Sequence, residues 1–288
     1  MKARLTKIGH CRTINEVLDH ARLNFIPVQQ DMMTLDGVNI TGFKGIYRSD
    51  TKQTLSVMGS DYTPFPPAQT FAIADTLNEK YGTRYKNAYG LDGGKRIVIE
   101  LEHPETTMLG GREHAKRRIQ IIDSLDGSTK FMARAGIWRM VCSNGMYGWA
   151  YENTASIRHT KNAQNRLQQA MRVWAISVNT FEQIEITAAK LMQKTVDKEM
   201  VEKFLDEIVG KVDSKTSTRK KNQRFEIEQA FLRGRGNHGQ TAWDLVNGVT
   251  EYYQHTTNQN DPEARTASAM FGTGKSQADK AVKLALSL

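Results

Sequence analysis

Cys142 and His159 are the residues on which a catalytic reading of this chain can first be tried. Both lie near one loop, and a thiol beside an imidazole base is the arrangement that covalent acyl transfer needs. The surrounding sequence, VCSNG, matches no nucleophile elbow, and a buried structural cysteine is the commoner condition for such a residue. Asp123 and Asp126 are a carboxylate pair, but no Glu-x-Lys pattern accompanies them, as two-metal nuclease chemistry would ask. His10, His20, His103, His114, His238 and His255 have no partner at metal-ligand spacing, and His159 has only Cys142. The cluster Arg158-His159-Thr160 can hold a phosphate, because Arg and protonated His donate charge-assisted bonds. It can equally tie Arg158 to a carboxylate inside the fold. The reading is therefore of a protein with no catalytic residue, no metal and no cofactor.

The elements that position these residues begin with the stretch 117–160. Phe131, Ala133, Ala135 and Ile137 alternate with Lys130, Met132, Arg134 and Gly136 at the period of two that sends successive side chains to opposite faces of a sheet. Ser124, Asp126, Gly127 and Ser128 suit a tight reversal before that strand. Many specific polar residues then follow an apolar hairpin, which points to a site or to a structural knot.

The composition narrows the partner. Among 288 residues, 40 Lys and Arg oppose 31 Asp and Glu, a formal charge of +9. That surplus favours a polyanion, with nucleic acid ahead of an anionic membrane; a merely basic soluble protein is the plain alternative. Cys11 and Cys142 are too few for a disulfide framework, so a reducing cytoplasm is expected. No apolar run approaches the ~20 residues a bilayer span requires, and the N-terminus lacks a signal-peptide core.

Read in order, residues 1–36 form a lead-in or arm with a helix through Arg22, capped by Thr13 with Glu16 at the capping-box position and ended before Pro27. Residues 37–160 form a twisted antiparallel sheet built from hairpins with one inserted helix. A hairpin turns at 49–52, with Phe43, Ile46, Leu55 and Val57 as apolar anchors. A helix spans Ala68 to about Tyr81 and stops at Gly82. Strands at 86–89 and 96–101 meet across 91–94. His103 to Glu113 is expected to be a flexible loop. Residues 161–288 are mainly helical, packed on the sheet or on a neighbouring subunit. Leu167, Met171, Trp174, Val178, Phe181, Ala188 and Met192 mark a long amphipathic helix, with Trp174 and Phe181 in the core. Helices follow at about 197–209, 241–253 and 276–288. Between the first two lies KVDSKTSTRKKNQR, the most basic segment, which a solvated linker also explains. The fold class is α+β.

Ser124-Leu125-Asp126-Gly127-Ser128, then Ile137-x-Arg139-x-Val141-Cys142-Ser143-Asn144, then Ile157-Arg158-His159-Thr160 occur in one order. Together they resemble the phage/plasmid-like protein family (domain of unknown function 932). Upstream, Tyr62-Thr63-Pro64 and 88–94 extend the likeness; downstream, Trp243, Asn247, Thr250, His255, Arg265 and Phe271-Gly272 do. Asp126, Gly127, Ser128, Cys142, Asn144, His159 and Thr160 are its motif residues here. Leu125 stands where the family pattern usually has histidine, which argues against a catalytic histidine there. The resemblance implies a phage or plasmid gene near recombination, replication or anti-defence functions, and no established reaction.

Set beside the basic charge, the hairpin-then-helix layout is similar in outline to phage single-strand annealing proteins. These hold one strand by its phosphates along a cationic groove and usually form rings or filaments. The expected groove residues are Arg112, Lys116, Arg117, Arg118, Lys130, Arg134 and Arg139, with Arg158, Lys215, Arg219, Lys220 and Lys221 as a second rim. The expected partners are single-stranded DNA, further copies of the chain, and a host or phage replication or recombination protein. The alternative function is an anti-defence protein that inhibits a host nucleic-acid-handling system.

Overall fold

Two antiparallel sheets and a helical layer make an α+β architecture. The structure, a computed structural model, describes residues 3–140, 145–147, 154–156, 163–257 and 260–288. The chain opens with β1 (Ala3–Lys7) and α1 (Ile14–Ala21), whose N-cap Thr13 accepts a hydrogen bond from the Glu16 amide. A small sheet follows, of β2 (Pro27–Met33), β3 (Asn39–Arg48) and β4 (Thr54–Gly59). The lead-in is built into both sheets from residue 3 onward. β1 pairs with the main sheet, β2 belongs to the small one, and Ile8, Val17, Leu18 and Phe25 sit in the main core. Asp75 Oδ1 fixes α1 by accepting from the Ile14 amide and the Tyr85 hydroxyl, at 2.9 and 2.6 Å. In the small sheet, Ile46 and Leu55 are buried, whereas Phe43 and Val57 stand on the opposite, solvent-facing side.

The inserted helix is broken at Phe71 into α2 (Pro67–Thr70) and α3 (Ile73–Tyr81), and Gly82, at φ 67°, ends it. The main sheet continues with β5 (Arg84–Leu91), β6 (Arg96–Leu109), β7 (Glu113–Ser124) and β8 (Met132–Arg139), each paired with the next. Two short strands, β9 (Gly145–Tyr147) and β10 (Thr154–Ser156), pair with β8. The expected loop at 103–113 is strand as far as Leu109. β6 carries Pro104 through a register shift between Glu102 and Thr106, where a residue without an amide hydrogen disturbs no ladder.

One face of the main sheet is covered by α4 (Ala163–Gln193). The helix buries Ala170, Val173, Phe181, Ile184, Ala188, Leu191 and Met192, so its inward stripe keeps Phe181, Ala188 and Met192 of the expected one, whereas Leu167 and Met171 are exposed. Then come α5 (Lys198–Ile208), capped by Asp197, and α6 (Thr218–Arg233). α6 falls where a basic linker was expected. It buries only Ile227 and Phe231, too narrow an apolar stripe to stand out in the sequence. Against it lies α7 (Ala242–Glu251), with a Thr241–Asp244 capping box and buried from Ala242 to Thr250. A π-helical turn (Tyr252–Thr256), α8 (Pro262–Phe271) and α9 (Thr273–Ser287) complete the chain. One apolar core contains Ile14, Ile119, Phe204 and Val282, and so draws on every part of the sequence.

Candidate nucleic-acid interface

Strand alternation divides the expected groove between two faces. Lys116, Arg118 and Gln120 on β7 share a face with Arg134 on β8, whose register partner is Gln120. Arg117 faces the other way, as does Arg139, the register partner of Ala115.

Most of these cations are bound internally. Arg139 is 0% exposed; its Nε and Nη2 each donate to the Glu113 carboxylate at 2.6 Å, and its guanidinium lies 5.5 Å from the Trp243 ring centroid. Arg118, 4% exposed, pairs with Glu100 and at 3.0 Å with Glu102. Lys116 reaches Glu102 at 3.5 Å. Arg117 bridges Glu105 and Glu185 at 2.6 and 2.8 Å. Arg134, also 4% exposed, donates from Nε to Gln120 at 2.8 Å and from Nη1 to the Met270 carbonyl at 3.1 Å. A guanidinium withdrawn from water requires such acceptors, because an unpaired buried charge costs several kcal/mol. β6 supplies them: Glu100 and Glu102 lie directly across from Gln120 and Arg118. The sheet arginines are therefore structural and do not line a groove. Of the seven, Arg112 and Lys130 are exposed, each at the end of a strand.

The basic segment 211–221, which holds every residue of the second rim but Arg158 and adds Lys211, has the opposite character. Lys211, Lys215 and Arg219 are exposed, Lys220 and Lys221 are half-buried, and none of the five forms an ion pair among the described residues. Arg224, two turns into the helix, does pair, with Glu202 and with Asp206 at 2.8 Å. The cations stand at the N-terminus of α6, which has no acidic residue in its first turn and no side-chain cap from Ser217. That end already carries the positive pole of the helix dipole, so Arg219, Lys220 and Lys221 add repulsion there. An anion relieves it.

The motif around the β7–β8 turn is architectural. Asp126 Oδ1 accepts from the Ser128 amide at 3.0 Å, Ser124 Oγ donates to the Thr129 carbonyl at 2.7 Å, and Gly127 takes φ 69°. Beside it, burial pushes the Asp123 carboxyl up to about 7, against a lowering bond from the Ser124 backbone. Burial, then Asp123 and Asp126, pushes the Tyr62 hydroxyl up to about 12. Cys142, Asn144, Arg158, His159 and Thr160 lie outside the described residues, as do any contacts between them. Trp174 offers no free ring face to a base: it stacks on Tyr81 at 4.2 Å and on His103 at 4.5 Å. Among the described residues no three His, Cys, Asp or Glu side chains gather as a metal-ligand set.

Arg96 is a residue that sequence reasoning passed over. It opens β6 on the Arg134 face, donates from Nη2 to Ser128 Oγ at 2.7 Å, and lies 4.4 Å from the Phe271 ring centroid. The parity of β6, in which Arg96, Val98 and Glu100 alternate with Ile97, Ile99 and Leu101, was the signal that could have found it.

A family model described as Domain of unknown function (DUF932) matches residues 54–285. No curated protein and no solved structure matches the chain.

Proposed function

The chain belongs to the DUF932 family, and we propose that it binds single-stranded nucleic acid without altering it chemically, in the service of strand annealing on a phage or plasmid. The observation that carries this reading is the group Lys211, Lys215, Arg219, Lys220 and Lys221. These cations form no ion pair among the described residues, Lys221 donating only to the Ser214 carbonyl at 3.1 Å, and they gather near a helix terminus that repels them. The phosphate grip lies there, and the sheet face contributes none of it. A single strand suits a short cationic edge, because its backbone bends to follow local charge and its bases stay open for pairing. Self-association into a ring or filament would line up successive copies of the edge along one strand.

Salt dependence tests the reading. Five phosphate contacts predict that log affinity for a single-stranded oligonucleotide falls with log salt at a slope of about −3 to −4. Replacing Lys215, Arg219, Lys220 and Lys221 by glutamine should flatten that slope to about −1 or less, with the melting temperature little changed. A wild-type slope near zero, or tighter binding to duplex than to single strand, would refute the proposal.

A further inference from the structure

Phe271, the last residue of α8, lies against two guanidinium groups of the main sheet. Arg96 is 4.4 Å and Arg134 5.0 Å from its ring centroid. The ring is half-buried, at the rim of a small apolar patch of Tyr89, Leu91, Val98 and Ile122 that receives Ala267 and Met270 and is separate from the main core. Polar groups crowd the same place: Ser128 Oγ accepts from Arg96, and Gln120 Oε1 accepts from Arg134. A phenyl ring has no edge to offer such groups. A nucleobase does, and guanidinium planes are among the surfaces on which proteins stack unpaired bases.

We propose that the Arg96–Arg134 pair is a nucleobase site and that Phe271 is its built-in plug, displaced when a single strand binds. The proposal rests on the single-strand reading above, since it names where a base goes while residues 211–221 hold phosphates. Exchange replaces one ring on a guanidinium by another, so the stacking gained is close to the stacking lost. The remaining cost is release of the last turn of α8, where Arg134 Nη1 donates to the Met270 carbonyl and the Gly272 amide to the Ser268 carbonyl. α9 stays in place through Ala281, Val282 and Ala285, which belong to the main core.

The test compares the affinity of full-length wild type, Phe271→Leu and Phe271→Trp for an oligothymidylate at low salt, with folding followed by thermal melting. Leucine keeps the apolar volume but gives up the ring; tryptophan strengthens the stack. The leucine variant should bind about three- to tenfold tighter and the tryptophan variant more weakly. Adding Arg96→Gln to Phe271→Leu should cancel the gain. Folded variants that both bind as wild type overturn the plug while leaving the phosphate grip standing, as does a gain that survives Arg96→Gln. Absence of binding by all three overturns the plug and the single-strand reading together.

Discussion

On β7 and β8, Lys116, Arg117, Arg118 and Arg139 each meet a carboxylate, whereas Lys211, Lys215, Arg219, Lys220 and Lys221 meet none among the described residues. In sequence the two groups look alike: clustered, basic, and flanked by polar residues. The difference is burial. A guanidinium inside a sheet must bring its counter-charge from a neighbouring strand, so its partner is decided by the fold. A lysine at a helix terminus in water has no such obligation, and its preference is left for an outside anion. Surplus charge therefore identifies a binding surface only after the internally matched cations are set aside.

Arginine 139 gives the largest expected effect and the most direct way to break the comparison. Arg139→Gln removes a fully buried partner of Glu113 and should cost about 3–5 kcal/mol, read as a drop in the denaturant midpoint. Pairing it with Glu113→Gln should return part of that loss, since no carboxylate is then left buried opposite a neutral group. Should Arg139→Gln prove neutral, the sheet cations are not structural and the groove reading revives.

Asp123 extends the same reasoning to an acid. Its folded pKa, about 7, lies above the ordinary carboxylate value, so between roughly pH 4 and 7 the native state holds a proton that the unfolded chain has released. Stability should therefore fall as pH rises through that window, with the whole penalty present above it. Asp123→Asn lacks the titration. It should match wild type near pH 3 and exceed it at pH 8 by at most roughly 4 kcal/mol, taking 1.36 kcal/mol per pKa unit. Equal pH profiles for the two proteins would show that burial does not govern this carboxyl.

Local signals carried well from sequence to structure. Thr13, Asp197 and Thr241 cap helices as their types suggest, Gly82 ends α3, and the alternation after Lys130 places Phe131, Ala133, Ala135 and Ile137 in the core. Non-local pairing did not. That Glu102 lies opposite Arg118, and Glu113 beside Arg139, depends on strand register, which no single segment encodes. Pro104 and Gly110 made the segment between them read as loop, because a bulge that absorbs a proline looks like a break. The helices α6 and α8 were missed for a related reason: each buries only two residues along its length, and hydrophobic periodicity is then too faint to see. Of the site, the 211–221 cations were legible from charge alone. The stacking of Arg96 on Phe271 joins residues far apart in the chain.

The smallest expected effect belongs to Arg112 and Lys130, the two exposed members of the sheet set, and it sharpens the comparison by bounding the cationic edge. Arg112 lines a cavity of about 240 Å³ with Met192, His238 and Trp243, near the C-terminal end of α6. Lys220 and Lys221 stand in the first turn of that 16-residue helix, roughly 18 to 20 Å from its last residue at 1.5 Å per residue, with Glu226 and Glu228 between. A strand held at the N-terminal end does not need Arg112. The double variant Arg112→Gln with Lys130→Gln should accordingly keep its stability within about 0.5 kcal/mol and its salt slope unchanged. A slope that falls by about 1 for each substitution would mean that both contact phosphate. The edge would then run past the acidic middle of α6 to the hairpin ends, and the sheet would share in the phosphate contacts through its tips.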